Sequence, residues 1–182
     1  MLPPLFRRSP KPTITSLYGA IVAQARAPRF YEDYAVPDTV LGRFDMVVLH
    51  VVLVVRRLRD GSRPQRTLAQ ALFDAFCRDI DQNLREMGIS DQGVPKHMQR
   101  VGEAFYGRAK AYETALEADR DRGLVEALLR NIYAGVAEAE VAATALAHYV
   151  RGAAQHLADQ ELKGLEAGTV RFPEPAPLAR VE

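Results

Sequence analysis

The sequence has no tryptophan and a single cysteine, Cys77, among its 182 residues. A lone cysteine cannot form an internal disulfide, and it cannot supply the several thiolates that a structural zinc site uses. We therefore expect a protein of a reducing compartment whose fold is held together by an ordinary apolar core.

An excess of charge of either sign is also lacking, because 24 lysines and arginines are balanced by 23 aspartates and glutamates. A formal net charge of +1 excludes a general nucleic-acid binder, so we expect no DNA partner. The hydrophobic content of 48% and the charged content of 26% are typical of a globular protein. A chain of this length forms one substantial core, and the composition therefore predicts a single domain.

Targeting and membrane segments are missing as well. The first twelve residues, MLPPLFRRSPKP, contain four prolines and no apolar run of the length that a signal peptide needs. The apolar run MVVLHVVLVV at 46–55 has about half of the ~20 residues of a membrane-spanning helix. We therefore expect a cytoplasmic protein that is not exported, either free or peripheral at the inner membrane.

Motifs of the common enzyme classes are absent too, among them GxGxxG, GxxxxGK[ST], GxSxG and CxxC. Asp79 and Asp81 lie on different faces of a helix, so they do not form an acid–base pair. His148 and His156 are eight residues apart, which is not a metal-binding spacing. We predict that the protein is not an enzyme and that it has no catalytic residues, metal or cofactor.

Helical patterns are what the sequence does contain. Apolar residues recur every three or four positions in successive segments, whereas the alternation typical of strands is not sustained. We predict an all-α, single-domain bundle of six or seven helices around a central apolar helix. Residues 1–12 are expected to form a flexible arm and 13–163 the helical domain. Residues 164–182 are expected to be an extended, proline-containing, mobile tail that packs through Val170 and Phe172 alone.

The central helix is predicted from one stretch, FDMVVLHVVLVVRRLR, at 44–59. Its many β-branched residues favour a strand, but the flanking apolar residues keep the helical period and burial outweighs local propensity. Asp38 is the expected N-cap. The side chains expected to be almost fully buried are Val48, Val51, Val52 and Val55.

His50 lies in the middle of this apolar run and has two interpretations. It is either a ligand of haem or of a metal, or a core histidine that is hydrogen-bonded to a neighbouring helix. No second histidine or carboxylate stands three or four residues away from it. Because metal sites need several convergent ligands, we favour the core interpretation.

Three segments together resemble the ubiquinol–cytochrome c chaperone family, in its alphaproteobacterial form. They are RFDMVVLHVVLVVRRLR at 43–59, QALFDAFCRDIDQNLREMGISDQGVPKHM at 70–98 and AFYGRAKAYETAL at 104–116. Their order and spacing match the family, and the similarity extends from about Tyr18 to Tyr149.

The resemblance implies an assembly chaperone, not a catalyst. Such a protein binds newly made cytochrome b and supports biogenesis of complex III, and the mitochondrial relatives act with a small partner protein. Two other classes stay open from the residues themselves: a small haem- or ligand-binding helical protein, and an enzyme of unknown type. Haem titration and a search for convergent titratable groups distinguish these classes.

Two sets of residues are candidate contact sites. The set for a client or partner is Arg43, His50, Arg57, Lys96, Arg100, Tyr106, Arg108 and Tyr112. The set for the ribosome or an anionic inner-membrane surface is Arg56, Arg59, Arg63 and Arg66, joined by Arg7, Arg8 and Lys11. Tyr106 stands near Gly102 and Gly107, and two glycines inside one helix indicate either tight helix packing or a partner surface.

Overall fold

The computed structural model describes residues 12–178, and every regular element within that range is a helix. The bounds are α1 Pro12–Ala25, α2 Pro28–Glu32, α3 Val40–Arg59, α4 Arg63–Glu86, α5 Val94–Glu117, α6 Arg122–Asn131, α7 Glu140–Asp159 and α8 Leu162–Glu166. The all-α prediction is confirmed. Residues 1–11 of the expected N-terminal arm lie outside the described range, and its last residue, Pro12, begins α1.

α3 is the central helix, and it packs against α1, α4, α5 and α7. Val48 and Val51 are fully buried and Val52 is 1% exposed, as the sequence predicts. The prediction for Val55 is wrong, because this side chain is only partly buried and faces a groove between helices. Burial on all sides outweighs the weaker helix propensity of valine, which costs at most ~0.7 kcal/mol per residue relative to alanine.

The start of α3 and the end of α4 follow local capping rules, with one change of residue. Thr39 caps α3 instead of Asp38, and its Oγ1 accepts a hydrogen bond from the Gly42 amide at 3.0 Å. The Asp38 carboxylate pairs instead with Arg43, whose Nε lies 2.6 Å from Oδ1. Gly88 follows α4 with a φ of +82°, a left-handed conformation that favours glycine just after a helix.

The aromatic segment between α1 and α3 contains the short helix α2, where the sequence predicts only a connector. Pro28 begins it, as proline suits the first turn of a helix. Phe30 and Tyr34 are buried, and the Phe30 ring packs edge-on against Tyr149 of α7 at a centroid distance of 4.8 Å. The segment is therefore part of the core.

The tail from Thr169 onward has no regular structure, but it is held along α1, α2 and α7. Side chains of the bundle donate hydrogen bonds to its carbonyls: Gln24 to Pro173 at 3.1 Å, Arg29 to Pro175 at 3.2 Å and Tyr34 to Ala176 at 3.0 Å. The prediction of contacts through Val170 and Phe172 alone is therefore wrong, and Pro175 is buried as well. Every residue of the tail has a backbone carbonyl, so the tail sequence does not show which carbonyls accept hydrogen bonds from side chains of the bundle.

Candidate functional site

A groove of about 190 Å³ opens on the surface where α3, α4 and α5 meet. Each helix contributes one face over about two turns, so the lining residues follow helical spacing. The apolar lining is Val52, Val55, Ala69, Phe73, Phe105, Tyr106 and Ala109. The charged rim is Arg59, Arg66 and Glu113. We call this feature the aromatic groove.

Three aromatic rings form a cluster in the lining of the groove. The Phe73 ring lies 4.8 Å from Phe105 and 5.6 Å from Tyr106, between centroids, and all three pairs among these rings are tilted or edge-on. Phe105 is 3% exposed, whereas Tyr106 is 62% exposed. The base of the cluster thus belongs to the core, while its outer ring presents an apolar surface to solvent.

The rim of the aromatic groove is positively charged. Nη1 of Arg59 lies 2.9 Å from Oε1 of Glu113, an ion pair that connects α3 to α5 across one end. Arg66 donates a hydrogen bond to the carbonyl of Gly61, and no carboxylate lies within 4 Å of its guanidinium in the part of the chain that the structure describes. The net charge of the three rim side chains is therefore +1.

A buried ion pair connects α3 to α5 away from the rim. Nη2 of Arg108 lies 2.8 Å from Oδ1 of Asp45, and the Asp45 residue is 3% exposed. Burial raises the pKa of Asp45 to about 6, and the charge of Arg108 and its hydrogen bond only partly oppose this. Removing either partner would leave a buried charge uncompensated, which typically costs about 3–5 kcal/mol.

His50 is fully buried and uses both ring nitrogens in the core. Its Nδ1 lies 2.8 Å from the carbonyl oxygen of Met46, which only accepts, so Nδ1 carries the hydrogen. Nε2 therefore accepts from the Tyr149 hydroxyl at 3.0 Å, and Gln24 donates to the same hydroxyl oxygen at 3.0 Å. Burial lowers the pKa of His50 to about 4, so the ring is neutral at pH 7. This is the hydrogen-bonded core histidine that the sequence favours.

The described residues offer little that would hold a metal or cofactor. Within 12–178, no three histidine, cysteine, aspartate or glutamate side chains converge as a metal site needs. The aromatic groove, at about 190 Å³, is smaller than the ~300–1,000 Å³ of typical small-molecule sites. It suits one inserted side chain, since an engineered cavity of about 150 Å³ takes a molecule of benzene size.

Three residues predicted to contact a client lie in the interior. His50 and Tyr112 are fully buried, and the Arg108 side chain is 17% exposed and paired with Asp45. Burial also raises the pKa of the Tyr112 hydroxyl above its ordinary value. These side chains are unavailable to a partner at the surface, and the physical reason is that each completes contacts between helices.

Two further arginines of that set bind within the chain. Arg57 donates from Nε to the Leu157 carbonyl at 2.8 Å and from Nη2 to the Gln160 carbonyl at 3.1 Å. It thereby satisfies carbonyls at the C-terminal end of α7, which have no partner inside that helix. Arg43 pairs with Asp38, as described for the start of α3. Both guanidinium groups are therefore already engaged in contacts within the chain.

The remaining candidates are at the surface but do not form one patch. Lys96 and Arg100 are exposed on the first turns of α5, and of the client set only Tyr106 lines the aromatic groove. In the basic set, Arg56 is half-buried while Arg59, Arg63 and Arg66 are exposed around the turn between α3 and α4. Arg7, Arg8 and Lys11 of that set lie outside the described residues. We call the four described arginines of that set the basic corner: Arg56, Arg59, Arg63 and Arg66.

Two features of the groove region go beyond the sequence analysis. Phe73 was not a candidate, because an aromatic residue at helical spacing looks the same whether it faces a core or a groove. Gly102 and Gly107 have no atom within 4 Å of the place where a Cβ would stand, so tight helix packing does not explain them. The partner-surface interpretation of these glycines remains a prediction.

None of the described helices combines the length and the apolar composition that crossing a bilayer requires. α3 comes nearest in its apolar centre, but arginines occupy its last turn.

The family model described as Ubiquinol-cytochrome C chaperone matches residues 32–172. Ubiquinol-cytochrome-c reductase complex assembly factor 1 of Xenopus laevis is 26% identical over 141 residues, which cover 78% of this chain and 70% of the relative. The human assembly factor 1 is 26% identical over 141 residues, which are 47% of its length. The chain thus spans about half the length of the human relative.

A solved structure is also similar to this fold. The crystal structure of the Cbp3 homolog from Brucella abortus superimposes with a TM-score of 0.82 at 39% sequence identity. The superposition covers 89% of each chain. The helical arrangement described above is therefore shared with an experimentally determined structure over most of its length.

Proposed function

The chain belongs to the ubiquinol–cytochrome c chaperone family, and from that membership we propose that it assists assembly of ubiquinol–cytochrome c reductase, complex III, by holding newly made cytochrome b. The observation that carries the proposal is the match of the family model over residues 32–172. The relatives from frog and human are assembly factors of this complex by name.

The aromatic groove supports a holding role. A membrane protein that has not yet found its partner subunits exposes apolar helices, and an apolar groove binds such a helix through anchoring side chains. Phe73, Phe105 and Tyr106 provide rings of the kind that dominate binding energy at protein interfaces. The groove is open at Tyr106, so a client reaches it without unfolding of the bundle.

We also propose that the protein performs no catalysis. The shifted pKa values of the histidine and the carboxylate are explained by structure, since both His50 and Asp45 are buried in contacts between helices. Perturbed groups at an active site would instead converge on an accessible cleft. Holding and releasing a client requires no such group.

The proposed place of action is the cytoplasmic surface of the inner membrane, where cytochrome b is inserted. The basic corner favours an anionic surface, because each arginine near such a surface contributes about 1 kcal/mol to attraction. Arg59 is already paired with Glu113, so Arg63 and Arg66 would carry most of this contact.

Co-purification tests the central proposal. The tagged full chain is expressed in cells that make complex III, membranes are solubilised gently, and the eluate is probed for cytochrome b. We expect cytochrome b to co-purify, and Tyr106→Glu to reduce its yield several-fold, because a charge in the aromatic groove is costly to desolvate. Val141→Glu on α7, at a residue 76% exposed, is the matched control and should have no effect.

Loss of the chain from the cell provides the second arm of the test. Deletion should lower the amount of assembled complex III, and the wild-type chain should restore it. Absence of cytochrome b from the wild-type eluate, together with normal complex III in the deletion strain, would refute the assembly role.

Haem binding separates this function from the alternative of a cofactor protein. His50 is the histidine best placed for a ligand by sequence, yet both its nitrogens are engaged in hydrogen bonds at 2.8 and 3.0 Å. We expect the purified protein to show no Soret band after haem titration and gel filtration. Stoichiometric haem that the His50→Gln variant fails to bind would favour the cofactor function instead.

A further inference from the structure

The aromatic groove and Arg66 on its rim lie side by side on one surface of the bundle. We propose that it binds a helical segment of the client that inserts one bulky apolar side chain and places an acidic side chain, one turn away, against Arg66. This inference rests on the proposed client-holding function and specifies which chemistry the client segment must carry.

The size of the groove limits the insertion to one anchor. Its volume of about 190 Å³ is only slightly larger than the cavity of about 150 Å³ that takes benzene. One phenylalanine or leucine side chain fits such a space, whereas the flank of a whole helix does not. The rest of the bound segment must therefore lie on the surface around the opening.

The aromatic lining favours an apolar anchor. The Phe73 and Tyr106 rings are 5.6 Å apart between centroids, and Phe105 closes the base beneath them. Tyr106 keeps 62% of its surface exposed, which is unusual for an aromatic residue that already touches two other rings. An inserted ring or aliphatic chain would contact all three and remove that exposed surface from water.

The dimensions of the lining favour a helix as the bound element. The lining runs from Val52 to Arg59 on α3 and from Arg66 to Phe73 on α4. Seven residues of helix measure about 10 Å, which is two turns. A bound helix presents side chains at i and i+4 about 5–6 Å apart, so one can enter the groove while the other reaches its rim.

Charge determines what the second side chain should be. Arg59 is neutralised by Glu113 at 2.9 Å, whereas within residues 12–178 Arg66 has no carboxylate in reach. An acidic side chain would complete this rim, and a basic one would be repelled. The chain's own segment around Phe6 is a poor occupant by the same rule, because Arg7 and Arg8 follow it directly.

Paired synthetic peptides test the charge requirement. The probes are two 20-residue amphipathic helices with one phenylalanine anchor, identical except for Glu or Gln four residues after it. We expect the Glu peptide to bind the wild-type chain about two- to fivefold tighter in fluorescence anisotropy, the range of an exposed ion pair. The difference should shrink with added salt.

Matched variants assign the effect to one arginine. Arg66→Gln should abolish the preference for Glu, whereas Arg78→Gln, at an exposed arginine further along α4, should keep it. Circular dichroism confirms that both variants are folded. Equal affinity of the two peptides, or no binding of either, would overturn the proposal.

Site-specific photo-cross-linking in the full chain tests the occupant. A benzophenone side chain is placed at Tyr106 or, as control, at Val141, and adducts in cells are probed with antibody to cytochrome b. We expect an adduct at 106 and none at 141. An adduct from position 106 could instead contain a second copy of the chain, residues 1–11 of the same chain, or lipid. Any of these would refute cytochrome b as the occupant of the groove.

The assembly function and the role of the aromatic groove as the client site can be refuted separately. Cytochrome b that co-purifies with the protein but cross-links only from position 141 would leave the assembly function standing and refute the groove as its site. Absence of cytochrome b from the eluate would refute the assembly function itself, and the peptide preference would then describe a different client.

Discussion

The Tyr149 hydroxyl donates a hydrogen bond to Nε2 of His50 at 3.0 Å, in the fully buried centre of the bundle. The pair joins α7 to the central helix, and Gln24 extends it to α1 by donating to the same hydroxyl oxygen. Gln24 also donates to the Pro173 carbonyl, so the network reaches the tail. Three helices and the tail are thus connected by polar groups whose hydrogen bonds satisfy one another.

His50 and Asp45 should make opposite contributions to the pH dependence of stability. Burial lowers the pKa of His50 from 6.5 to about 4, so its contribution is complete above pH 6.5 and is lost as the pH falls towards 4. Burial raises the pKa of Asp45 from 3.8 to about 6, so its contribution is complete below pH 3.8 and is lost as the pH rises to about 6.

Single variants should separate these two contributions in urea unfolding between pH 4 and 7. The destabilisation caused by His50→Gln should be largest near pH 7 and shrink on acidification, while that of Asp45→Asn should be larger at pH 4 than at pH 7. Each change should amount to about 1–3 kcal/mol across its window. Parallel curves for both variants and the wild type would contradict the burial of these groups.

A charge in the centre of α3 should unfold the protein. Val48 is fully buried, so Val48→Asp would place a carboxylate without a partner in the core, at a cost of several kcal/mol out of a total of about 5–15. Leu41→Asp is the control, since Leu41 belongs to the same helix but is 64% exposed. We expect circular dichroism to show a lost thermal transition for the first variant only.

The tail should contribute measurably to stability through Phe172. Its ring packs edge-on against His50 at a centroid distance of 5.2 Å, and it is partly buried. Phe172→Ala should lower the free energy of unfolding by about 1–3 kcal/mol, less than a fully buried phenylalanine would. The exposed neighbour Glu174 gives the control variant Glu174→Ala. Equal midpoints in urea for both variants would show that the tail is not part of the folded unit.

The basic corner should bind anionic vesicles in a salt-dependent manner. Replacing Arg59, Arg63 and Arg66 by glutamine should weaken co-flotation with vesicles containing phosphatidylglycerol, and added salt should weaken the binding of the wild type. The control removes three exposed arginines from other surfaces, Arg100, Arg120 and Arg122. An equal loss of co-flotation in both triple variants would indicate a general effect of net charge. Co-flotation of the wild type that does not change with salt would rule out the electrostatic contact.

Part of the candidate site was accessible to sequence reasoning. The glycines near Tyr106 point to that residue, and the basic cluster after an apolar run points to Arg59 and Arg66. The helical pattern gives no such signal for Phe73, and it predicts Val55 in the core. Whether an apolar residue faces a closed core or an open groove depends on the distance between two neighbouring helices, which a single helical pattern does not contain.

The sequence by itself determined the features that arise within a few residues of one another. The apolar period of α3, the glycine after α4 and the proline at its first turn are such features, because helix formation and capping act over three or four positions. Only the tertiary structure decided the contacts between distant residues. His50 meets Tyr149 across 99 positions and Arg108 meets Asp45 across 63, and these pairings depend on how the helices cross. The same crossings leave the aromatic groove open, because three helices meet there and, between residues 12 and 178, no fourth helix covers Tyr106.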